Sequence, residues 1–259
     1  MNDEAVFASL VQAIGAIVGS EDLVTDLGNP SVTADREALE AMLQTEGAEL
    51  VVRLWRRPKS LVTSRQLARR DTFAEAARES ERNGWPVAIR DSAGLTVAHH
   101  PGVLNISHLV SVPDTTAQFS VSRVYDKLLE ILIDACRAMG VETDRGGVPG
   151  AYCDGSQNLR AQGRKLAGAS ARMVRRGEKT GILSHASLTV YGSVSEDVAA
   201  VQAFERALAV DVNYAPEAHC SLVGMLDEMS PSYSVSLSSS GDRGPRFRSS
   251  LGDTPNFSL

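Results

Sequence analysis

Cys153 and Lys165 are the residues whose types and spacing could do chemistry in this chain. They lie within the stretch Tyr152-Cys-Asp-Gly-Ser-Gln-Asn-Leu-Arg-Ala-Gln-Gly-Arg-Lys-Leu-Ala-Gly168. A free cysteine, with a pKa of about 8.5, is mostly protonated at neutral pH, and a neighbouring ammonium stabilises its thiolate and makes it a nucleophile. The two must meet for this to matter. Leu159 to Ala161 and Lys165 to Ala169 read as short strands joined by Gln162-Gly163, a pair that tolerates the positive φ of a tight hairpin turn. Tyr152 to Gln157, with its Asp-Gly-Ser core, reads as a loop that can fold the thiol back toward the lysine. The bland alternatives are a cysteine that is simply a small core hydrophobe and a Gly-Arg-Lys turn that is a solvated hairpin tip.

The rest of the chain must position that pair. Val6, Phe7, Leu10, Val11, Ile14, Ile17 and Val18 recur at helical spacing from Ala5 to Val18, with Gly19 placed to end the helix. Asp35 to Gln44 is a second short helix with Thr33 as N-cap. Glu49 to Trp55 is rich in β-formers and begins a sheet. Thr72 to Asn83 is an alanine-rich helix stopped by Gly84, and Trp85 to Ile89 returns as a strand. Arg90 to Val110 reads as strand, turn at Pro101-Gly102 and strand. Ser120 to Met139 is the clearest helix, with Val121, Val124, Leu128, Ile131, Leu132, Ala135 and Met139 on one stripe and Cys136 inside it as core. Val141 opens another strand, Gly181 to Tyr191 is a further one, Ser195 to Ala207 is helical and Ala218 to Asp227 is a final short helix. Strands grouped with long helices, without regular βαβ alternation, indicate an α+β fold with a mixed or antiparallel sheet and flanking helices. Residues 1–229 form one domain. From Ser230 the chain is Ser/Gly-rich with few apolar residues, which predicts a mostly irregular tail over 230–259.

Composition excludes some classes of function. The 259 residues carry 26 Lys and Arg against 32 Asp and Glu, a net charge of -6. That argues against nucleic acid as the main partner. The acidic start Met1-Asn-Asp-Glu lacks the features of a secretory signal, and no apolar run reaches a membrane span, so the expectation is a cytoplasmic protein with no membrane partner. Cys136, Cys153 and Cys220 show no Cys-x-x-Cys spacing, which indicates neither a disulfide framework nor a zinc site. Cys220 reads as structural. No metal is expected at His99, His100 and His185, because no companion ligand falls at suitable spacing.

Two segments together carry a resemblance. Arg90-Asp-Ser-Ala-Gly-Leu-Thr-Val through Gly102-Val-Leu-Asn-Ile-Ser107, then Tyr152-Cys-x-Gly-Ser-x-x-Leu and Gly163-x-Lys-x-Ala-Gly168, resemble the lipoate–protein ligase and octanoyltransferase superfamily. The likeness is nearest to its cysteine-dependent lipoyl amidotransferases and spans roughly Leu50 to Leu226. It implies the fold shared with biotin–protein ligase catalytic domains. It also implies an octanoyl or lipoyl transfer between the glycine-cleavage H protein and the lipoyl domains of 2-oxoacid dehydrogenases. The residue matching Cys153 would form the acyl-thioester, and the one matching Lys165 would lower its pKa and orient the acyl carbonyl. Arg90, Ala93, Gly94, Leu95, His99, Asn105 and Ser107 would line the acyl pocket, with Gly155, Gly168 and His185 also at the substrate.

Two departures stand out. Asn158 occupies a position that is usually acidic in the family. Ala93-Gly94-Leu95 replaces the three glycines with which ATP-dependent ligases approach a phosphate. The first expectation is therefore an acyltransferase needing no cofactor. An ATP-dependent lipoate ligase is second and a non-catalytic acyl-carrier-binding homologue third. His99 and His185 are the candidates for a general base.

Overall fold

The computed structural model describes residues 2–19, 21–28, 33–114 and 120–229. In chain order the elements are α1 (Asp3–Val18), β1 (Leu23–Asp26), α2 (Ala34–Met42), β2 (Glu49–Trp55), β3 (Ser60–Ser64), α3 (Phe73–Arg82), β4 (Val87–Arg90), β5 (Val97–His99), β6 (Val103–Pro113), α4 (Val121–Ala138), β7 (Asp144–Arg145), β8 (Leu159–Ala161), β9 (Arg164–Arg176), β10 (Lys179–Thr189), α5 (Val194–Ala207) and α6 (Leu222–Met229). Asn2, Ser120 and Ser193 cap α1, α4 and α5 by accepting backbone N–H bonds from Glu4, Arg123 and Glu196. Thr33 precedes α2, and its hydroxyl donates to Glu37.

The fold is α+β. Among the described residues a mixed seven-stranded sheet has the order β1-β2-β6-β10-β9-β8-β7, and β4-β3-β5 form a second, smaller sheet. The apparent strand–turn–strand from Arg90 to Val110 is thus divided between sheets: β5 pairs with β3, while β6 lies between β2 and β10. The predicted strand at Val141 is displaced to the two residues of β7, and β1 is a strand that the sequence pattern does not predict. The largest difference is β9, which continues through Ser170 to Arg176 beyond the expected Ala169. Its far half, Ser-Ala-Arg-Met-Val-Arg-Arg, has no strand-like pattern. Antiparallel pairing with β10, from Leu188↔Ala167 to Lys179↔Arg176, makes it a strand, because strand formation is decided by cross-strand neighbours more than by intrinsic preference. The proposed tail of 230–259 lies outside the described residues.

The two faces of the large sheet differ in chemistry. Alternation along β6 and β10 sends Leu104, Ile106, Ala186 and Leu188 into a core closed by Leu10 and Ile14 of α1 and by Leu128, Ile131 and Leu132 of α4. Each fully buried Leu or Ile there contributes about 1.5–3 kcal/mol. The opposite face carries Asn105, Ser107, His185 and Ser187, with Ser107 opposite His185 and Asn105 opposite Ser187. At one end α2 covers this face with Leu39, Met42 and Leu43 against Leu109 and Leu183. The small sheet packs with α3 and α5 through Leu61, Trp85, Ala98 and Phe204. Between these coverings the polar part of the sheet forms the floor of a cleft.

Candidate active site

The loop before β8 carries Cys153, and its backbone there is unusual. Cys153 has φ 45°, a left-handed conformation that a non-glycine residue adopts at a cost. Three groups hold it there. The buried ammonium of Lys165 donates to the carbonyl oxygens of Tyr152 at 2.7 Å and Cys153 at 2.9 Å. His219 Nε2 accepts from the Tyr152 N–H at 3.2 Å, and its ring stacks on Tyr152 with centroids 4.4 Å apart. Asp154 accepts from the N–H groups of Val148 and Gly155 and from the Asn158 side chain at 2.6 Å. Lys165 reaches the loop because Gln162 and Gly163, with φ 49° and 76°, turn the β8–β9 hairpin as expected.

The cation that contacts the sulfur is Arg90. Its Nη2 lies 4.0 Å from Cys153 Sγ, and its other bonds go to the carbonyls of Val62, Ala93 and Leu95. A guanidinium spread over four acceptors is fixed in direction. The Ala93-Gly94-Leu95 segment closes over it. Gly94 has φ 111°, a backbone that side-chain-bearing residues rarely adopt, and a Cβ there would stand 2.9 Å from Arg90 Nη2 and 3.1 Å from Cys153 Sγ and press on both. Gly168 leaves room beside Lys165, whose Nζ would be 3.1 Å from an added Cβ.

Electrostatics separate the titratable groups. Burial lowers Lys165 from its ordinary value to about 8, against the opposing pull of Cys153 and Asp154. Burial, with Arg90 nearby, pushes His185 down to about 3 and His99 well below its usual range. Both rings are neutral hydrogen-bonding groups at physiological pH: His185 Nε2 pairs with Ser92 at 3.1 Å and His99 Nε2 with Ser187 at 3.2 Å. Cys136 and Cys220 are driven by burial up to about 12 and about 11.

Cys153, Lys165, Arg90, His99, Asn105, Gly168 and His185 line one cleft that opens to solvent. Trp55, Val62, Val97, Val174 and Leu183 supply its apolar wall. Ser107 lies under the floor, bonded to Asp35 and to the Trp55 indole N–H, and Asp35 is paired with Arg53. Ala93 and Leu95 present backbone carbonyls to Arg90. Gly155 stands apart, exposed on the loop with open space around it. Among the described residues Asn105 Nδ2, His99 Nδ1 and Arg90 Nε have no protein hydrogen-bond partner, and no cluster of His, Cys, Asp or Glu is arranged to hold a metal. No helix among them is long and apolar enough to cross a membrane.

Asp154, His219 and Asp35 escaped the sequence reading. Asp154 was legible in principle as a turn carboxylate next to Cys153. His219 was not, because it reaches the loop through the pairing of Lys165 with His219, which joins residues far apart in the chain.

Comparison with known proteins adds an independent finding. Residues 31–235 match the lipoyl protein ligase A/B catalytic domain. An uncharacterized protein of Cupriavidus necator is 33% identical over 170 residues, covering 61% of this chain and 67% of that protein. An octanoyl-GcvH:protein N-octanoyltransferase of Anoxybacillus flavithermus is 32% identical over 160 residues, covering 61% of this chain and 55% of the relative. The chain thus spans between about half and two thirds of these relatives. In fold it is similar to a lipoate-protein ligase A crystallised with ATP, with a TM-score of 0.60, 18% identity and coverage of 78% of this chain and 77% of that one.

Proposed function

The chain belongs to the lipoyl protein ligase A/B catalytic domain family, and from that premise we propose that it is an acyltransferase of protein lipoylation. It moves an octanoyl or lipoyl group between carrier-protein lysines through a thioester on Cys153. The naming of relatives as octanoyl-GcvH:protein N-octanoyltransferases supports this reading. The observation that carries it is the contact of Cys153 Sγ with the Arg90 guanidinium at the apex of a cleft whose wall can hold an acyl chain.

The Cys153 thiolate attacks the acyl carbonyl of the donor lysine amide. The C–S bond forms, the C–N bond breaks and the departing amine takes up a proton. The acceptor amine then attacks the thioester, losing a proton as the C–N bond forms and the thiolate leaves. Arg90 stabilises the thiolate in both half-reactions. Lys165 has three donors, of which two hold the loop carbonyls. The third serves the developing oxyanion, where a fixed donor is most effective, and a proton affinity near neutral suits Lys165 to the two proton transfers. Asn105 Nδ2 and His99 Nδ1 offer unmatched hydrogen-bonding capacity to the substrate. The partners are the glycine-cleavage H protein and the lipoyl domains of 2-oxoacid dehydrogenases, and no cofactor enters the cycle.

The ligase reading is disfavoured by the same loop. Arg90 engages the carbonyls of Ala93 and Leu95 and Gly94 abuts the sulfur, leaving the segment packed on the thiol where a phosphate cradle needs open glycine backbone. Incubation with octanoylated H protein, followed by intact mass with and without hydroxylamine, tests the proposal. A labile octanoyl adduct that disappears in Cys153→Ala is the expected result. Turnover by Cys153→Ala with acid-dependent pyrophosphate exchange would make it a ligase, and carrier binding without any adduct would make it a non-catalytic homologue.

A further inference from the structure

A carboxylate lies behind the Cys153–Lys165 pair. Asp154 Oδ1 accepts from the backbone N–H groups of Val148 at 2.8 Å and Gly155 at 2.9 Å, and from Asn158 Nδ2 at 2.6 Å. The bond from Val148 ties the Cys153 turn to the segment that follows β7. The bond from Asn158 sets the direction of an amide that is itself only 2% exposed. An ionised carboxylate only accepts, so this amide presents its nitrogen to Asp154 and turns its oxygen the other way. That oxygen faces Gly168. It lies 3.6 Å from the point where a Cβ on Gly168 would stand, and Lys165 Nζ lies 3.1 Å from the same point. The Asn158 carbonyl and the Lys165 ammonium thus share the space beside Gly168.

We propose that Asp154, acting through Asn158, is a positioning residue of this site: it fixes the turn that presents the Cys153 sulfur and supplies the negative charge that the buried Lys165 ammonium needs nearby. The consequence for catalysis rests on the acyl-transfer reading, whereas the charge balance stands apart from it. Burial takes from an ammonium the water that would stabilise its charge, so fixed dipoles and countercharges must replace that water. The groups facing Lys165 come from several elements. Arg90 of β4 is a like charge that works with burial against the ammonium, while Cys153 and Asp154 of the loop oppose them. His219, driven by burial down to about 4, is a neutral ring at physiological pH, and the Tyr152 ring lies 5.2 Å from Nζ. The loop carbonyls of Tyr152 and Cys153 take two of the three donors, and the Asn158 oxygen turns its dipole toward the same ammonium. An ammonium kept charged and aimed in this way is ready for a developing oxyanion.

Lys59, Lys127, Lys165 and Lys179 are the lysines of the chain, so isotope labelling of lysine side chains lets NMR follow Lys165 through a pH titration, with Lys165→Met assigning its signal. Asp154→Asn keeps the shape and an acceptor for Val148 and Gly155 but removes the charge. It should lower the Lys165 midpoint from about 8 by about half a unit, the size left for an exposed, partly screened opposite charge. Asp154→Asn/Asn158→Asp moves the carboxylate to the other end of the same bond, closer to Gly168, and should bring the midpoint back to the wild-type value or above it. Asp154→Ala, which also releases the turn, should slow thioester formation at pH 7 by roughly tenfold or more, because a small displacement of a reacting group is costly. Asp154→Asn should slow it more at pH 8 than at pH 7. Circular dichroism checks that each variant folds, and if Asp154→Asn does not, the exchange variant carries the test. A Lys165 midpoint unmoved in folded Asp154→Asn would overturn the assignment even if the rate fell, since a merely structural part lowers the rate alone. A midpoint below wild type in the exchange variant would overturn it too. If the wild-type chain is never acylated, the acyl-transfer reading fails by itself, and the titration still decides the role of Asp154.

Discussion

Cys136 sits in α4 among Leu132, Ala135 and Val141, wholly enclosed, and burial drives its thiol up to about 12. Cys153 sits in a loop with a left-handed backbone, partly exposed, with a guanidinium at its sulfur and an ammonium under its carbonyl. The side chains are identical, so the two sites differ only in what each sulfur meets. An apolar enclosure opposes a thiolate, as it does at Cys136, whereas Cys153 stands at a solvent-facing cleft with Arg90 at its sulfur.

The sharpest way to break this contrast is to remove one sulfur at a time. Cys153→Ala should abolish the acyl adduct and lower transfer by roughly three orders of magnitude or more, while Cys220→Ala keeps the adduct. Intact mass and transfer assays decide it, and an adduct surviving in Cys153→Ala would end the distinction. Next comes the guanidinium: Arg90→Ala should slow iodoacetamide alkylation of Cys153 at pH 7 by roughly tenfold, the size expected when one close opposite charge is lost. Arg90→Lys should recover part of the rate. Recovery to the full rate would mean that charge alone matters, and no recovery would assign Arg90 to holding the carbonyls of Val62, Ala93 and Leu95.

Lys165 sharpens the comparison through pH. It is charged below about 8 and neutral above, so the ratio of wild-type to Lys165→Ala thioester formation should be larger at pH 7 than at pH 9. The stability consequence has a definite sign. A lysine at about 8 in the fold and at its ordinary 10.5 when unfolded binds more protons in the unfolded chain between those values, so its contribution to stability rises with pH across that window. Urea midpoints should rise accordingly in wild type relative to Lys165→Met, and parallel curves would refute the assignment. The smallest effect is expected at the enclosed sulfur. Cys136→Ala should cost about 1 kcal/mol for the small cavity and leave transfer unchanged, measured by denaturation and by rate.

How much of this was readable beforehand depended on range along the chain. The helices α1, α3, α4 and α5 were legible because an apolar stripe and a stop signal are local, and the β8–β9 turn because Gln162-Gly163 is a local device. The second half of β9 was not legible, since Arg172, Arg175 and Arg176 belong to a strand only through β10. Residue type and motif singled out Cys153, Lys165 and the Arg90 segment, and the structure brings Cys153, Lys165 and Arg90 to one cleft. Contacts made by His219 and Asp35 join segments far apart in sequence, and no local pattern announces them.

The amino-acid order alone determined that this is an α+β chain with a single cysteine in a turn-rich loop and a lysine just past a tight hairpin. Only the tertiary structure decided which cation touches which atom. It gave Lys165 to the loop carbonyls and Arg90 to the sulfur, and it set the Asn158 amide between Asp154 and Gly168. Periodicity and turn chemistry act over a few residues, whereas burial, charge proximity and the direction of a hydrogen bond exist only once distant strands are paired.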